Sequence, residues 1–263
     1  MSTQPDSNSF FAVPDAYDNF MGRFAKPLAQ LFVKTIPLAR GDEVLDIGCG
    51  PGALTAQLVN VVGAKHVSVV DPSPPFLDAC KQRYPGVTGK VGRAEALPFD
   101  AHAFDAVMSQ LVIHFVGDLD QAGKEIVRVT RPGGWVATCT WLFERMELIY
   151  FMDQAARAVG SSAPPAPRVH EFSGEGSVAA YLESIGLEDV TETTLTVKSG
   201  YANFEELWNS YLVGIGPIAP WMNEQSDESR AAVRTELFKL AGEPTGAFEL
   251  SATARSAHGR TPA

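Results

Sequence analysis

VLDIGCGPGALT, residues 44–55, decides how this chain is read. An apolar run ends in an acid, glycines follow at alternate positions (Gly48, Gly50, Gly52), and an apolar helical segment begins. Glycines without Cβ atoms let a strand turn sharply into a helix and let a ligand lie against the backbone. The helix start behind such a turn offers unpaired N–H groups and a partial positive charge, a place for a phosphate or a carboxylate.

Working outward, EVLDIG (43–48) predicts a first strand and ALTAQLVNVV (53–62) its helix, with Gly63 suited to the helix end. HVSVVD (66–71) predicts a second strand, followed by a helix near 75–84 and a third strand, VTGKVG (87–92). FDAVMSQ (104–110) is a fourth strand. In DLDQAGKEIVRVT (118–130) the residues Leu119, Ala122, Ile126 and Val129 share one helical face. The turn RPGG (131–134) then leads to a fifth strand, WVATCTW (135–141). Strands alternating with helices at this spacing predict an α/β fold, a doubly wound, Rossmann-like, mostly parallel sheet.

Residues 14–38 read as mainly helical, with Pro27 and Pro37 as punctuation. After 141 the pattern predicts a helix near 144–159, a loop GSSAPPAPR (160–168) and a helix at 177–185. A strand VTETTLTV (190–197), helices near 203–214 and 226–241, and a last strand FELSATARS (248–256) complete it. The expectation is seven strands with an antiparallel last strand and helical insertions. All 263 residues would form one domain: 14–38 an N-terminal lid, 43–141 the cofactor-binding core, 142–263 substrate-lid insertions and the last two strands.

Composition narrows the function. With 21 basic and 31 acidic side chains the formal charge is −10, and no basic run offers a nucleic-acid surface. The most apolar stretch, YLVGIGPIAPWM (211–222), is too short for a membrane span, and the N-terminus lacks the positive-then-apolar order of a signal peptide. Cys49, Cys80 and Cys139 are widely spaced without a CxxC, which fits reduced thiols, no metal site and a cytoplasmic protein.

The ligand of the glycine turn has two readings. Gly48, Gly50 and Ala53 spell G-x-G-x-x-A, and Asp71 lies about twenty residues on, as in a dinucleotide site. A Walker-type phosphate loop is excluded, because no G-K-[ST] follows. Asp46, two residues before the first glycine, would repel a pyrophosphate and attract an ammonium group. A nucleoside carrying an α-amino group and a carboxylate fits both ends of the turn, which is S-adenosyl-L-methionine. Asp71 can accept from both ribose hydroxyls, and Phe76, after DPSPP (71–75), can pack on the adenine face.

At this point the chain resembles the class I S-adenosylmethionine-dependent methyltransferases. VLDIGCGPG (44–52) looks like their first motif and VVDPSPPFL (69–77) like their acidic second-strand motif. GRAEALPFDAHAFDAVMSQLVIHFV (92–116) and EIVRVTRPGGWV (125–136) resemble the motifs that follow. YDNFMGRFAKPLA (17–29) resembles a branch loosely grouped with the ubiquinone and menaquinone methyltransferases. The resemblance covers residues 20–141 and implies the fold and the cofactor, with S-adenosyl-L-homocysteine as product, but not a quinone substrate.

By that resemblance Asp46, Gly48 and Gly50 line the methionine end, and Asp71, followed by Pro72, holds the ribose. Ala94 offers backbone to the adenine, Gln110 sits beside the methionine moiety, and Tyr17 and Arg23 close over the cofactor. Arg23 as a surface ion pair is the competing reading. Arg93 stands where the family usually has an acid that accepts from the adenine amino group, and arginine has no acceptor. Either Glu95 or a backbone carbonyl then takes that role, or adenine binding is weaker here.

His114, after the fourth strand, suits a general base on a hydroxyl or amine, or a packing histidine at a helix start. His170 suits a group reaching the acceptor from the 160–172 loop. Phe143, Tyr150, Phe151, Phe172, Tyr201, Phe204, Trp208, Tyr211 and Trp221 fall outside the βα core. Most read as packing; those lining a pocket would favour an apolar or aromatic acceptor. The expected activity is methyl transfer to a small acceptor of that kind, O-methylation ahead of N- or C-methylation, by a monomer or homodimer. The alternatives are an NAD(P)-dependent oxidoreductase and a catalytically inert S-adenosylmethionine-binding protein.

Overall fold

The computed structural model describes residues 14–161, 171–212 and 218–263. Two helices, α1 (Pro14–Asn19) and α2 (Gly22–Phe32), precede the sheet. Then come β1 (Val44–Ile47), α3 (Ala53–Val62), β2 (Val67–Asp71), α4 (Pro74–Arg83), β3 (Thr88–Val91), β4 (Phe104–Gln110), α5 (Leu119–Val129) and β5 (Thr130–Met146). The C-terminal part holds α6 (Glu147–Ala158), α7 (Ser177–Ser184), β6 (Glu188–Tyr201), α8 (Phe204–Leu212), α9 (Ile218–Glu224), α10 (Asp227–Leu240) and β7 (Phe248–Arg260). A 3-10 turn, Ile113–Phe115, follows β4.

The strands form one sheet in the order β3-β2-β1-β4-β5-β7-β6. β1 pairs in parallel with both β2 and β4, whereas β7 is antiparallel to both β5 and β6. The order reverses between β1 and β4, and in open α/β sheets ligands bind at the carboxyl ends of the strands at that point. All four residues of β1 are buried, which suits its near-continuous apolar sequence and its central, doubly covered position.

Each face of the sheet has its own core. On one, Phe24, Leu28, Phe32, Leu54 and Leu58 from α2 and α3 pack on Val44, Val69, Ala106 and Met108. On the other, Ala122, Ile126 and Val129 of α5 share a core with Leu45, Ile47, Val107 and Val136, and α7 extends it over β6 and β7 with Val178 and Leu182. Asp118 caps α5 by accepting from the Gln121 N–H at 2.9 Å.

Gly123 in α5 is where the second core is tightest: a Cβ there would lie 2.2 Å from Ile185 Cγ2 and 3.0 Å from Ile185 Cβ. Gly123→Ala would gain up to about 1 kcal/mol of helix propensity. The overlap reaches the Ile185 Cβ itself, so a rotamer change does not relieve it, and overpacking costs about 1–3 kcal/mol. The expected result is a net loss of about 1 kcal/mol in urea unfolding, the packing term outweighing the propensity.

The structure departs from the pattern reading in four places. The 14–38 segment breaks between α1 and α2, and Pro27 lies inside α2 rather than ending it. β5 is longer than 135–141, because Thr130 pairs with Phe104 of β4 and Met146 with Ala252 of β7. β6 and β7 outrun their alternating stretches through a ladder from Glu188↔Arg260 to Tyr201↔Phe248. α9 was not anticipated, its sequence IAPWMNE carrying a proline. Most of the 160–168 loop, and His170, lie outside the described residues. Among those residues no helix is long and apolar enough to cross a membrane.

Candidate active site

The glycine turn leaves β1 with Gly48, Gly50 and Gly52 at φ of 68°, 52° and 99°, the left-handed region where glycine carries no steric cost. The first and third also need space: a Cβ on Gly48 would meet Val112 Cγ2 at 2.5 Å, and one on Gly52 would meet Tyr84 Cε2 at 2.5 Å. Gly50 differs, since its Cβ would meet nothing nearer than Phe76 Cδ2 at 4.0 Å. Its flank is therefore an open cradle against the backbone. The turn is fastened to β2 by the N–H groups of Gly48 and Cys49, which donate to the Val70 carbonyl at 2.7 and 3.2 Å.

Two carboxylates stand at this cradle. Asp46 is 1% exposed and accepts from the Thr55 hydroxyl at 2.6 Å. Burial, with a contribution from the charge on Asp71, pushes its pKa up to about 7. Asp71, also buried, accepts from Gly50 N–H through one oxygen and Ser73 N–H through the other, each at 2.8 Å. Burial raises its pKa while these two bonds oppose the rise. No basic side chain pairs with either acid among the described residues. Each oxygen of Asp71 keeps a lone pair for a further donor.

At the end of β4, the Gln110 amide nitrogen donates to the Ala25 carbonyl on α2 at 2.9 Å. That bond fixes the amide's orientation and leaves its oxygen buried without a partner among the described residues. The next residue, Leu111, has φ of 64°, a costly conformation for a branched side chain. Its N–H donates to the Cys139 carbonyl at 2.8 Å, so β5 holds the chain in the turn that leads to His114.

Residues 45–138 match the family model described as methyltransferase domain. Over this segment the chain is similar to methyltransferase domains. Demethylmenaquinone methyltransferase of Chlorobaculum tepidum is 32% identical over 131 residues, 46% of this chain and 52% of that protein. Malonyl-[acyl-carrier protein] O-methyltransferase of Salmonella typhimurium is 38% identical over 98 residues, 37% of this chain and 38% of that protein. The chain thus spans about half or less of the length of these curated relatives. Phosphoethanolamine N-methyltransferase 2 of Haemonchus contortus, solved with S-adenosylhomocysteine, shares the fold: the TM-score is 0.59 at 17% identity, over 95% of this chain and 57% of that one.

Around this segment the other residues expected at the site fall as follows. Tyr17 is half-buried with its ring 5.5 Å from that of Phe76, and desolvation with the charges of Asp18 and Asp71 raises its phenol pKa. α1 is fastened there by Asp18, which pairs with Arg83 at 2.8 Å, while Arg83 also donates to the Pro51 carbonyl of the turn at 3.0 Å. Phe76 and Ala94 are buried near the ends of the turn, and Pro72 is exposed. Glu95 accepts from Gly117 N–H at 2.9 Å and lies 3.6 Å from the Arg93 guanidinium. Its carboxylate is thereby engaged with the loop after β4.

Arg23 takes the ion-pair alternative. Its guanidinium bonds Glu206 and the Gly200 carbonyl and lies 4.3 Å over the Tyr201 ring, fastening α2 to the end of β6.

His114 is buried with its Nδ1 3.0 Å from the Thr140 hydroxyl on β5. Burial lowers its pKa to about 4, so the ring is neutral at pH 7. Sequence reading passed over Thr55, Thr140 and the Glu192–Arg255 ion pair. Thr55 and Thr140 sit in unremarkable helical and strand patterns, and only the fold brings them to Asp46 and His114.

Proposed function

We propose that this protein transfers a methyl group from S-adenosyl-L-methionine to a small acceptor. The observation that carries the reading is the unmatched set of acceptors at one crevice: Asp46, Asp71 and the Gln110 amide oxygen, beside the open flank of Gly50. A ligand that brings an ammonium group, a sulfonium and hydroxyl donors answers this set. A pyrophosphate would face two buried acids, which disfavours the dinucleotide alternative. Bound there, the cofactor supplies an electrophilic methyl group. Asp46 would hold the amino end, Asp71 the ribose hydroxyls, and the start of α3 the carboxylate. Tyr17 and Phe76 would close the adenine side, with Ala94 offering backbone, and would keep water out.

The acceptor side lies at the carboxyl ends of β4 and β5. Residues 14–38 and 142–263 act as its lid, so that the chain works as one unit. Trp141, Tyr201, Phe204 and Tyr211 are buried on this side, and the Trp141 indole N–H has no partner among the described residues. These support an apolar or aromatic acceptor with a few polar atoms. O-methylation is the favoured outcome, in keeping with the name of the acyl-carrier-protein relative. Incubation with S-adenosylmethionine and a panel of phenols, acids, amines and quinols should release S-adenosylhomocysteine with at least one of them. Release with none, despite cofactor binding, would favour an inert binding protein.

Asp46 adds a pH dependence. Its native pKa of about 7 lies above that of an unfolded aspartate, so the ligand-free protein loses stability as pH rises from about 4 to 7. An ammonium ligand needs the ionised form, so its affinity should rise from pH 6 to pH 8 and level off above, by up to about tenfold per pH unit below the pKa. Isothermal titration across this range checks it, and Asp46→Asn should flatten the profile.

A further inference from the structure

The polar layer beneath the acceptor side has a feature that bears on which acceptor is used. His114 Nδ1 and the Thr140 hydroxyl are each other's sole hydrogen-bond partner among the described residues, at 3.0 Å. Thr140 is 3% exposed and His114 9%. If the ring donated from Nδ1, the Thr140 proton would be left in a buried place with no acceptor among the described residues, and a buried hydrogen bond left unmade is costly. If Thr140 donates to Nδ1, both atoms are satisfied and the ring proton must sit on Nε2.

We infer that Thr140 fixes His114 as a hydrogen-bond donor through Nε2, so that the site takes an acceptor whose attacking atom arrives unprotonated, namely a carboxylate. This rests on the methyl-transfer reading and replaces the general-base role for His114. Arg255 supports it. Thr140 and Arg255 stand opposite each other in the antiparallel β5–β7 ladder, so their side chains share a face. The Arg255 side chain is 9% exposed and its Nε–H has no partner among the described residues. It pairs with Glu192 at 2.6 Å, but Glu192 also accepts from the N–H groups of Gly176, Val178 and Ala179. The acid's charge is therefore shared with the start of α7, and a positive group stands behind Thr140.

The chemistry balances without a base. A carboxylate oxygen forms a bond to the methyl carbon as the carbon–sulfur bond breaks, with that electron pair remaining on sulfur. Anion and sulfonium become a neutral ester and a neutral thioether, and no proton moves. The His114 Nε2–H holds the carboxylate in line, through whichever oxygen does not attack.

The ring itself can be read directly. In protein labelled with nitrogen-15 histidine, long-range proton–nitrogen correlation spectra distinguish the two tautomers, and His114→Gln identifies which signals belong to His114. The expected result at pH 7 is a protonated Nε2 and a bare Nδ1, with Thr140→Val mixing the two forms. A proton on Nδ1, or on both nitrogens, overturns the inference. For activity, small carboxylic acids should turn over while alcohols and amines of matched shape do not; the reverse pattern also overturns it. With a turned-over acid, His114→Gln, which keeps a donor near Nε2, should stay within about tenfold of wild type, and His114→Glu should lose about a hundredfold or more. A base role reverses that ranking. Cofactor titration of each variant separates misfolding from lost chemistry. Silence across the panel with the cofactor bound would count against methyl transfer itself, while the spectra still decide the ring.

Discussion

Glu192→Ala is expected to lower the unfolding free energy by about 3–5 kcal/mol, the usual cost of removing one member of a buried ion pair. The size follows from what Glu192 does. It is the charge partner of Arg255, with both side chains about nine-tenths buried, and it also receives three N–H groups at the start of α7. Truncation leaves a buried guanidinium without its counter-charge and strips the cap from a helix that covers β6 and β7. For a chain of this length the melting temperature should fall by about 10 °C. The Arg131–Asp105 pair provides the control, because its side chains are 44% and 35% exposed. Asp105→Ala there also removes a bond from Glu43 N–H, yet should cost only about 1 kcal/mol. Equal losses in thermal melts of the two variants would show that the Glu192–Arg255 pair does not bear on stability as described.

Asp71→Ala should weaken S-adenosylmethionine binding by about 3 kcal/mol, roughly a hundredfold. Sequence reasoning alone supports about 1.5–3 kcal/mol for the loss of hydrogen bonds from a charged group to the ribose. The structure places the effect at the upper end of that range. Asp71 also accepts from Gly50 and Ser73, so its truncation frees the middle of the glycine turn and the start of α4 together. Asp71→Asn keeps one acceptor and should lose less. Titration calorimetry that finds unchanged affinity for the alanine variant would remove Asp71 from the ribose site.

The βα core was legible because its physics is local. β1, β2 and β4 are short, mainly apolar runs, α5 has a periodic apolar face, and the glycines mark the turn; β4 and α3 fall on the expected residues. The C-terminal half was less legible for two reasons. The lengths of β5, β6 and β7 are set by partners distant in sequence, as in the pairing of Met146 with Ala252. α9 is a short segment with an internal proline, whose helical state comes from packing of Ile218, Ala219 and Met222 rather than from pattern. In the site, Asp46, Gly50 and Asp71 could be read from motif order and charge. Arg23 could not, because its commitment to Glu206 and Tyr201 depends on how α2 crosses the end of β6. Nor could His114, whose proton placement depends on Thr140, 26 residues away.

The central claim is that the crevice at Asp46, Gly50 and Asp71 holds a cationic nucleoside. Isothermal titration of the wild-type protein at pH 8 with S-adenosylmethionine and, separately, with NAD and NADP tests it most directly. Saturable one-to-one binding of S-adenosylmethionine with no binding of either dinucleotide is the predicted result. Binding of a dinucleotide with none of S-adenosylmethionine would contradict it.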